Sequence, residues 1–142
     1  HLATRGLRIL TSQALPHNRD FRTDTDGARS NGELARCLNQ AATVDYFELR
    51  FARGMCNLLG AVIRAEWTDV SVETVLSNCQ LAAGLGMMGW RRMNARLMNR
   101  AEDVAIKLED PALQSHVCTL DALWRVGVCD WGMLDKRIDQ AQ

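Results

Sequence analysis

Apolar residues recur at steps of three and four along most of this chain. Between Trp90 and Leu108, the residues Met93, Leu97, Ala101, Val104 and Leu108 fall on one side, while Arg92, Arg96, Asn99, Glu102 and Asp103 take the other. That is one buried stripe on a period of about 3.6 residues, and it predicts an amphipathic helix. Val72 to Met88 carries Val75, Leu76, Cys79, Ala82, Ala83 and Leu85 and is less amphipathic, which predicts a more deeply buried helix. Pro111 to Val128 shows Val117, Leu120, Leu123 and Trp124 at helical spacing. Asp110-Pro111 is a helix start: the carboxylate accepts from orphan amides and proline suits the first turn. Asp130 can cap a last helix in the same way, and Asp69 or Ser71 the one before Met88. With breaks at Thr68-Asp69, Gly89 and Glu109-Asp110, the pattern predicts a short helix over 1–10 and an irregular stretch over 11–31. Helices follow over 32–48, 51–66, 71–88, 90–108, 111–128 and 131–142.

These helices are organised by a repeat. A shift of 40 residues lays Ala42 on Ala82 and Ala122, Ala61 on Ala101 and Ala141, and Leu58 on Met98 and Ile138; Ala65 falls on Ala105. Self-similarity at a fixed period of that size is the mark of a repeat architecture. Three helix pairs over 32–142 follow, with short connections that make paired helices antiparallel neighbours. The aligned alanines mark the places where two helices approach closely. The fold class expected is therefore all-α, an α-solenoid of about three antiparallel pairs, with 1–10 the end of a preceding repeat helix.

The small-residue pattern resembles the tetratricopeptide repeat. That motif has a small residue on its first helix, matched by Ala42, Ala82 and Ala122, and two small residues seven apart on its second. Gly54 with Ala61 fits the second feature. Asn94 with Ala101 and Leu134 with Ala141 depart from it, so helix contact at Asn94 and Leu134 is expected to be looser or shifted. The aromatic opening the second helix is Phe51 and Trp131, but Arg91 in the middle repeat, and a closing proline occurs once, at Pro111. A narrower resemblance also holds. The run Gly89-Trp90-Arg91-Arg92-Met93 through Arg100-Ala101-Glu102 to Glu109-Asp110-Pro111, followed by Cys129-Asp130-Trp131, is similar to the degenerate repeats of large bacterial signalling ATPases. Gly6 to Leu10 with Leu15-Pro16 resembles a repeat end followed by an insertion in that family. The resemblance implies a nucleotide-binding module elsewhere in a longer protein, often behind a cyclase or kinase domain, with this chain as part of a helical C-terminal region.

Composition narrows the functions. The chain has 17 basic and 17 acidic residues among 142, so bulk electrostatics do not favour nucleic acid as a partner. Charged residues break every apolar run well short of the roughly 18 a membrane span needs, and 1–10 has no apolar core of the signal-peptide kind. Five cysteines, at 37, 56, 79, 118 and 129, are odd in number, lack CxxC spacing and sit in helical stretches. They read as reduced thiols acting as small core hydrophobes, which points to a cytoplasmic protein.

Several residues are candidates for chemistry. Asp24-x-Asp26-Gly27 with Glu33 resembles the later part of a calcium loop, but Arg22 falls on the first ligand position and no entering helix precedes it. His116 and Cys118 are two apart and would point to different sides of a helix, with only Cys129 to join them, whereas zinc needs about four converging ligands. His1 and His17 are the other histidines, and no nucleophile–base–acid arrangement is legible. No phosphate-binding glycine loop with lysine occurs, and Gly84-Leu85-Gly86 reads as a packing feature. No catalytic, cofactor or metal site is expected. The candidate partner-binding face is Arg92, Arg96 and Arg100, at i, i+4 and i+8 with Arg91 adjacent, which suits an acidic partner or phosphates. Trp67, Trp90, Trp124 and Trp131 read chiefly as fillers of inter-helix gaps. The expected function is a non-catalytic scaffold for protein–protein interaction or signal coupling. The expected partner is another protein, with self-association through exposed repeat ends. The alternative is a small-molecule effector site in a groove lined by Met87, Met88, Met93 and Met98.

Overall fold

The computed structural model describes residues 25–68 and 70–127. The expected helices over 1–10 and 131–142, with Cys129, Asp130, Trp131, Leu134, Ile138 and Ala141, lie outside the described residues, as does 11–24. Among the described residues the structure is all-helical, with α1 Thr25–Phe47, α2 Phe51–Ala65, a 3₁₀ turn Glu66–Thr68, α3 Val72–Met87, α4 Arg91–Lys107 and α5 Pro111–Gly127. The chain divides into two compact units, His1–Asp69 and Val70–Gln142.

The first unit is an antiparallel hairpin of α1 and α2, and its long-range contacts run in opposite directions along the two helices. A Cβ on Gly54 would lie 3.4 Å from the Ala42 carbonyl oxygen, and one on Gly60 3.2 Å from Leu38. Further along, Arg64 donates to Asn31 Oδ1 at 3.2 Å. The inner side of α1 is a narrow stripe of Ala35, Asn39, Ala42 and Asp45, and α2 meets it with Gly54, Ala61, Val62 and Ala65. Asp45 is buried at 3 % exposure, and its Oδ2 accepts from Asn57 Nδ2 at 2.8 Å and faces Arg53 Nε at 3.4 Å.

One boundary differs from the sequence reading. Residues 25–31 were expected to be irregular, but α1 begins at Thr25. The segment Asp26 to Gly32 is poor in helix formers. Tertiary contacts carry it: Asn31 Oδ1 accepts from Arg64, and Gly32 lies against Thr68; within the helix Asn31 Nδ2 also donates to Gly27 O at 2.9 Å. Gly27 is thus inside a helix, and Asp26, Gly27 and Glu33 do not form the turn of a calcium loop.

In the second unit α3 and α4 form another antiparallel hairpin, and α5 packs against both. Ten of the sixteen residues of α3 are buried, as its weak amphipathicity predicts. On α4 the expected stripe is present: Leu97, Ala101 and Val104 are buried, while Met93 and Leu108 are half-buried. Ser71 caps α3 by accepting from Thr74 N at 3.2 Å, and Asp110 Oδ1 caps α5 by accepting from Ala112 N and Leu113 N at 2.9 and 3.3 Å. Gly86 lies directly beneath the Trp124 indole, so close that any Cβ there would overlap the ring. On α5 an ion pair joins the buried Asp121 Oδ2 to the half-buried Arg125 Nε at 2.9 Å, and the guanidinium lies 5.7 Å from the Trp124 ring centroid.

The two hairpins share one turn. In each, the first helix ends in a Schellman motif, a left-handed residue flanked by two backward main-chain hydrogen bonds. Arg50 N donates to Asp45 O at 2.7 Å and Leu49 N to Tyr46 O at 3.1 Å; forty residues on, Trp90 N donates to Leu85 O and Gly89 N to Gly86 O, both at 2.9 Å. The left-handed positions are Leu49 (φ 58°) and Gly89 (φ 80°). The next residues open α2 and α4 with near-identical angles, φ −90°, ψ 54° at Arg50 and φ −84°, ψ 60° at Trp90. Gly54 N then bonds Arg50 O and Asn94 N bonds Trp90 O, both at 3.0 Å.

The cysteines are less uniform than expected. Cys79 and Cys118 are buried and Cys56 is half-buried, but Cys37 is exposed on the outer side of α1 and is not a core residue. Burial pushes the Cys79 thiol up from 9.0 to about 12.

Two expectations follow from this packing. Ala101→Leu and Gly86→Ala should each cost on the order of 1–3 kcal/mol in urea melts, because both insert atoms where none fit. For Gly86 this outweighs the helix-propensity gain of alanine. Arg96→Ala, on the outer side of α4, should stay within roughly 0.5 kcal/mol. Second, between pH 9.0 and about 12 the unfolded chain releases the Cys79 proton while the folded chain retains it, so stability falls as pH rises through that window. Melts of Cys79→Ala should show a shallower decline over the same range.

Candidate functional site

The expected arginine stripe lies on α4, and the structure shortens it. Arg92 and Arg96 are exposed, as is Arg91, whereas Arg100 is half-buried and engaged in other interactions. Geometry explains this. Eight residues advance a helix by about 80° beyond whole turns, so a stripe at i, i+4, i+8 rolls round the axis. Arg100 thereby reaches the side carrying Leu97 and Ala101, which are fully buried. Arg91, one residue before the stripe, takes its place on the exposed side.

Arg91, Arg92 and Arg96 make no ion pair or side-chain hydrogen bond among the described residues. Their position is electrostatically unfavourable. Arg91 and Arg92 sit in the first turn of α4, which has no acidic residue and no side-chain cap. The helix macrodipole places positive charge at that end, and Arg92 and Arg96 are like charges four apart, which repel. From Thr74 to Ala101 the chain has four arginines and neither aspartate nor glutamate. The equivalent turn of the first hairpin is balanced: Glu48 pairs with Arg50 at 3.0 Å and Asp45 with Arg53 at 3.4 Å.

Beside the arginines lies an apolar surface. Met87, Met88 and Trp90 are 66 %, 57 % and 55 % exposed, and they run through the turn directly into Arg91. Sequence reasoning placed Trp90 among gap fillers; the structure exposes more than half of it. Trp67 is also half-exposed, while Trp124 does fill a gap, above Gly86. The four methionines do not share a surface, since Met98 is in the core and Met93 is half-buried.

Asn94, flagged in the sequence as a departure from the small-residue pattern, has a definite role. Its Nδ2 donates to the Ala82 carbonyl at 2.8 Å, in the core. In the first hairpin Gly54 approaches the equivalent carbonyl, that of Ala42, directly. The contact at Asn94 is bridged by an amide. The pairing of the buried Asp45 with Asn57 and of the buried Asp121 with Arg125 has no counterpart in the sequence reading. A charged residue at an apolar register, such as Asp45 where the next hairpin has Leu85, was the available signal.

The other candidate residues stay apart. Cys118 is buried, and His116 is half-buried with Nε2 enclosed and unpartnered among the described residues. No group of three His, Cys, Asp or Glu able to hold a metal ion occurs among the described residues, and no described helix is long and apolar enough to cross a membrane. No protein-family model, curated protein or solved structure matches the chain.

If the arginines are held against the helix dipole for a reason other than folding, reversing their charge should stabilise the fold. Arg91→Glu with Arg92→Glu is expected to raise Tm by roughly 1–4 °C at low ionic strength. The gain should shrink with added salt. Thermal melts at two salt concentrations check this, and a lowered Tm would show a structural role.

Proposed function

We propose that this chain is a non-catalytic helical-repeat scaffold, a stretch of α-solenoid that mediates protein–protein interaction or signal coupling within a larger bacterial regulatory ATPase. The observation that carries the reading is the shared turn. Two hairpins 40 residues apart use the same main-chain hydrogen bonds and the same left-handed position. The packing of α5 on both α3 and α4 supports it further, because a stacked solenoid sets each new first helix against the pair before it. The placement within a signalling ATPase rests on the resemblance of 89–111 and 129–131 alone. In this reading the chain works in a reducing cytoplasm, and its partner contacts the exposed arginines at the start of α4.

The test is affinity capture from a bacterial lysate, followed by reconstitution with the purified captured protein. A stoichiometric partner that binds the purified chain is the expected result. Absence of any stoichiometric partner would overturn the scaffold reading. A turnover that survives purification and is lost on substituting His116 or Cys118 would overturn its non-catalytic part.

A further inference from the structure

The surface at the α3–α4 turn has two halves that differ in chemistry and lie side by side. One is apolar: Met87, Met88 and Trp90, each more than half exposed. The other is cationic: Arg91, Arg92 and Arg96, all exposed. We propose that this composite surface is the docking site for an acidic amphipathic segment of a partner protein, whose apolar side chains rest on Trp90 and the two methionines while its carboxylates pair with the arginines. The inference rests on the scaffold reading above and names the partner chemistry of that site.

Charge complementarity selects the occupant. Among the described residues no carboxylate pairs with the three arginines, and the surrounding 74–101 stretch contains none. A second copy of this surface would bring like charges together, which costs affinity and disfavours self-association here. Guanidinium groups bind carboxylates in a bidentate, planar manner that lysine cannot match. The apolar half favours a peptide over a nucleic acid. Tryptophan is the side chain most enriched among binding anchors. Methionine is flexible and polarisable and moulds itself to varied apolar shapes. Phosphate tracking uses neither methionine. The turn beneath is fixed by main-chain bonds, so the surface is presented on a rigid support and little ordering entropy is lost on binding.

The same turn in the first hairpin provides the contrast. It too exposes apolar groups, with Phe47 at 78 % and Leu49 at 74 %, and Tyr46 stacks edge-on against both Phe47 and Phe51. Its charges, however, are already paired with one another. The uncompensated field belongs to the α4 start alone among the described turns.

A random library of peptides about 16 residues long, enough for roughly four helical turns, is selected for binding to the full chain. The expected winners carry net negative charge and at least two large apolar residues. Their affinity, read by fluorescence anisotropy, should fall about tenfold or more on Arg92→Glu with Arg96→Glu and several-fold on Trp90→Ala, and it should weaken with salt. The charge-reversed chain is expected to remain folded, and circular dichroism confirms it before binding is read. Enrichment of neutral or basic peptides, no enrichment at all, or winners insensitive to these substitutions would overturn the proposal. So would a short DNA duplex that binds more tightly than the best peptide, which would make the arginines a phosphate contact. A captured partner from the lysate whose binding ignores all three substitutions would overturn this inference and leave the scaffold reading in place.

Discussion

Two helices can lie this close only where one of them offers almost no side chain, and that constraint governs both hairpins. Ala42 and Ala82 on the first helices, and Ala61 and Ala101 on the second, are all essentially inaccessible to solvent. Each stands where a larger group would push the axes apart. Close approach in turn brings main chain against main chain. In the first hairpin Gly54 lets the α2 backbone come up to the Ala42 carbonyl, and in the second the Asn94 amide fills the space and bonds to the Ala82 carbonyl. The two solutions differ in chemistry but serve the same contact.

The buried aspartates of these cores have partners of known position. A buried carboxylate left unpaired is costly, and removing one member of such a pair exposes that cost in full. Asp45 is met by Asn57 and Arg53, and Asp121 by Arg125. The Asp45 contacts join α1 to α2, and directional bonds there fix one register where apolar contacts alone would tolerate several; the Asp121–Arg125 pair lies within α5, one turn apart. The second unit adds a steric lock, since the Trp124 indole fits above Gly86 only at one height along α3.

Much of this was legible beforehand, and the reasons are specific. The alternation from Met93 to Val104 predicts which side of α4 is buried, because a single apolar stripe leaves no second solution. Ser71 and Asp110 announce helix starts because their side-chain oxygens can reach amides that have no other partner. The start of α1 was missed because Asp26 to Gly32 is helical through contacts with Arg64 and Thr68, which lie more than thirty residues away and leave no local mark. The candidate surface was half legible. Periodicity finds Arg92 and Arg96 but carries the stripe one step too far, to Arg100. The exposure of Met87, Met88 and Trp90 follows from the turn, where apolar residues look in sequence like any other core.

The turn itself is made wholly of main-chain bonds, and this separates two demands that usually conflict. Nothing in its geometry requires a particular side chain at positions 48 to 51 or 88 to 92 beyond tolerance of a left-handed residue, and even leucine is accepted there at a cost of about 1–2 kcal/mol. Selection can therefore rewrite what the turn displays while the fold stays unchanged. One hairpin carries a charge-balanced aromatic tip and the other an unbalanced, arginine-rich one on the same backbone. Hairpins built this way diversify as sockets do, by changing the fittings and keeping the frame.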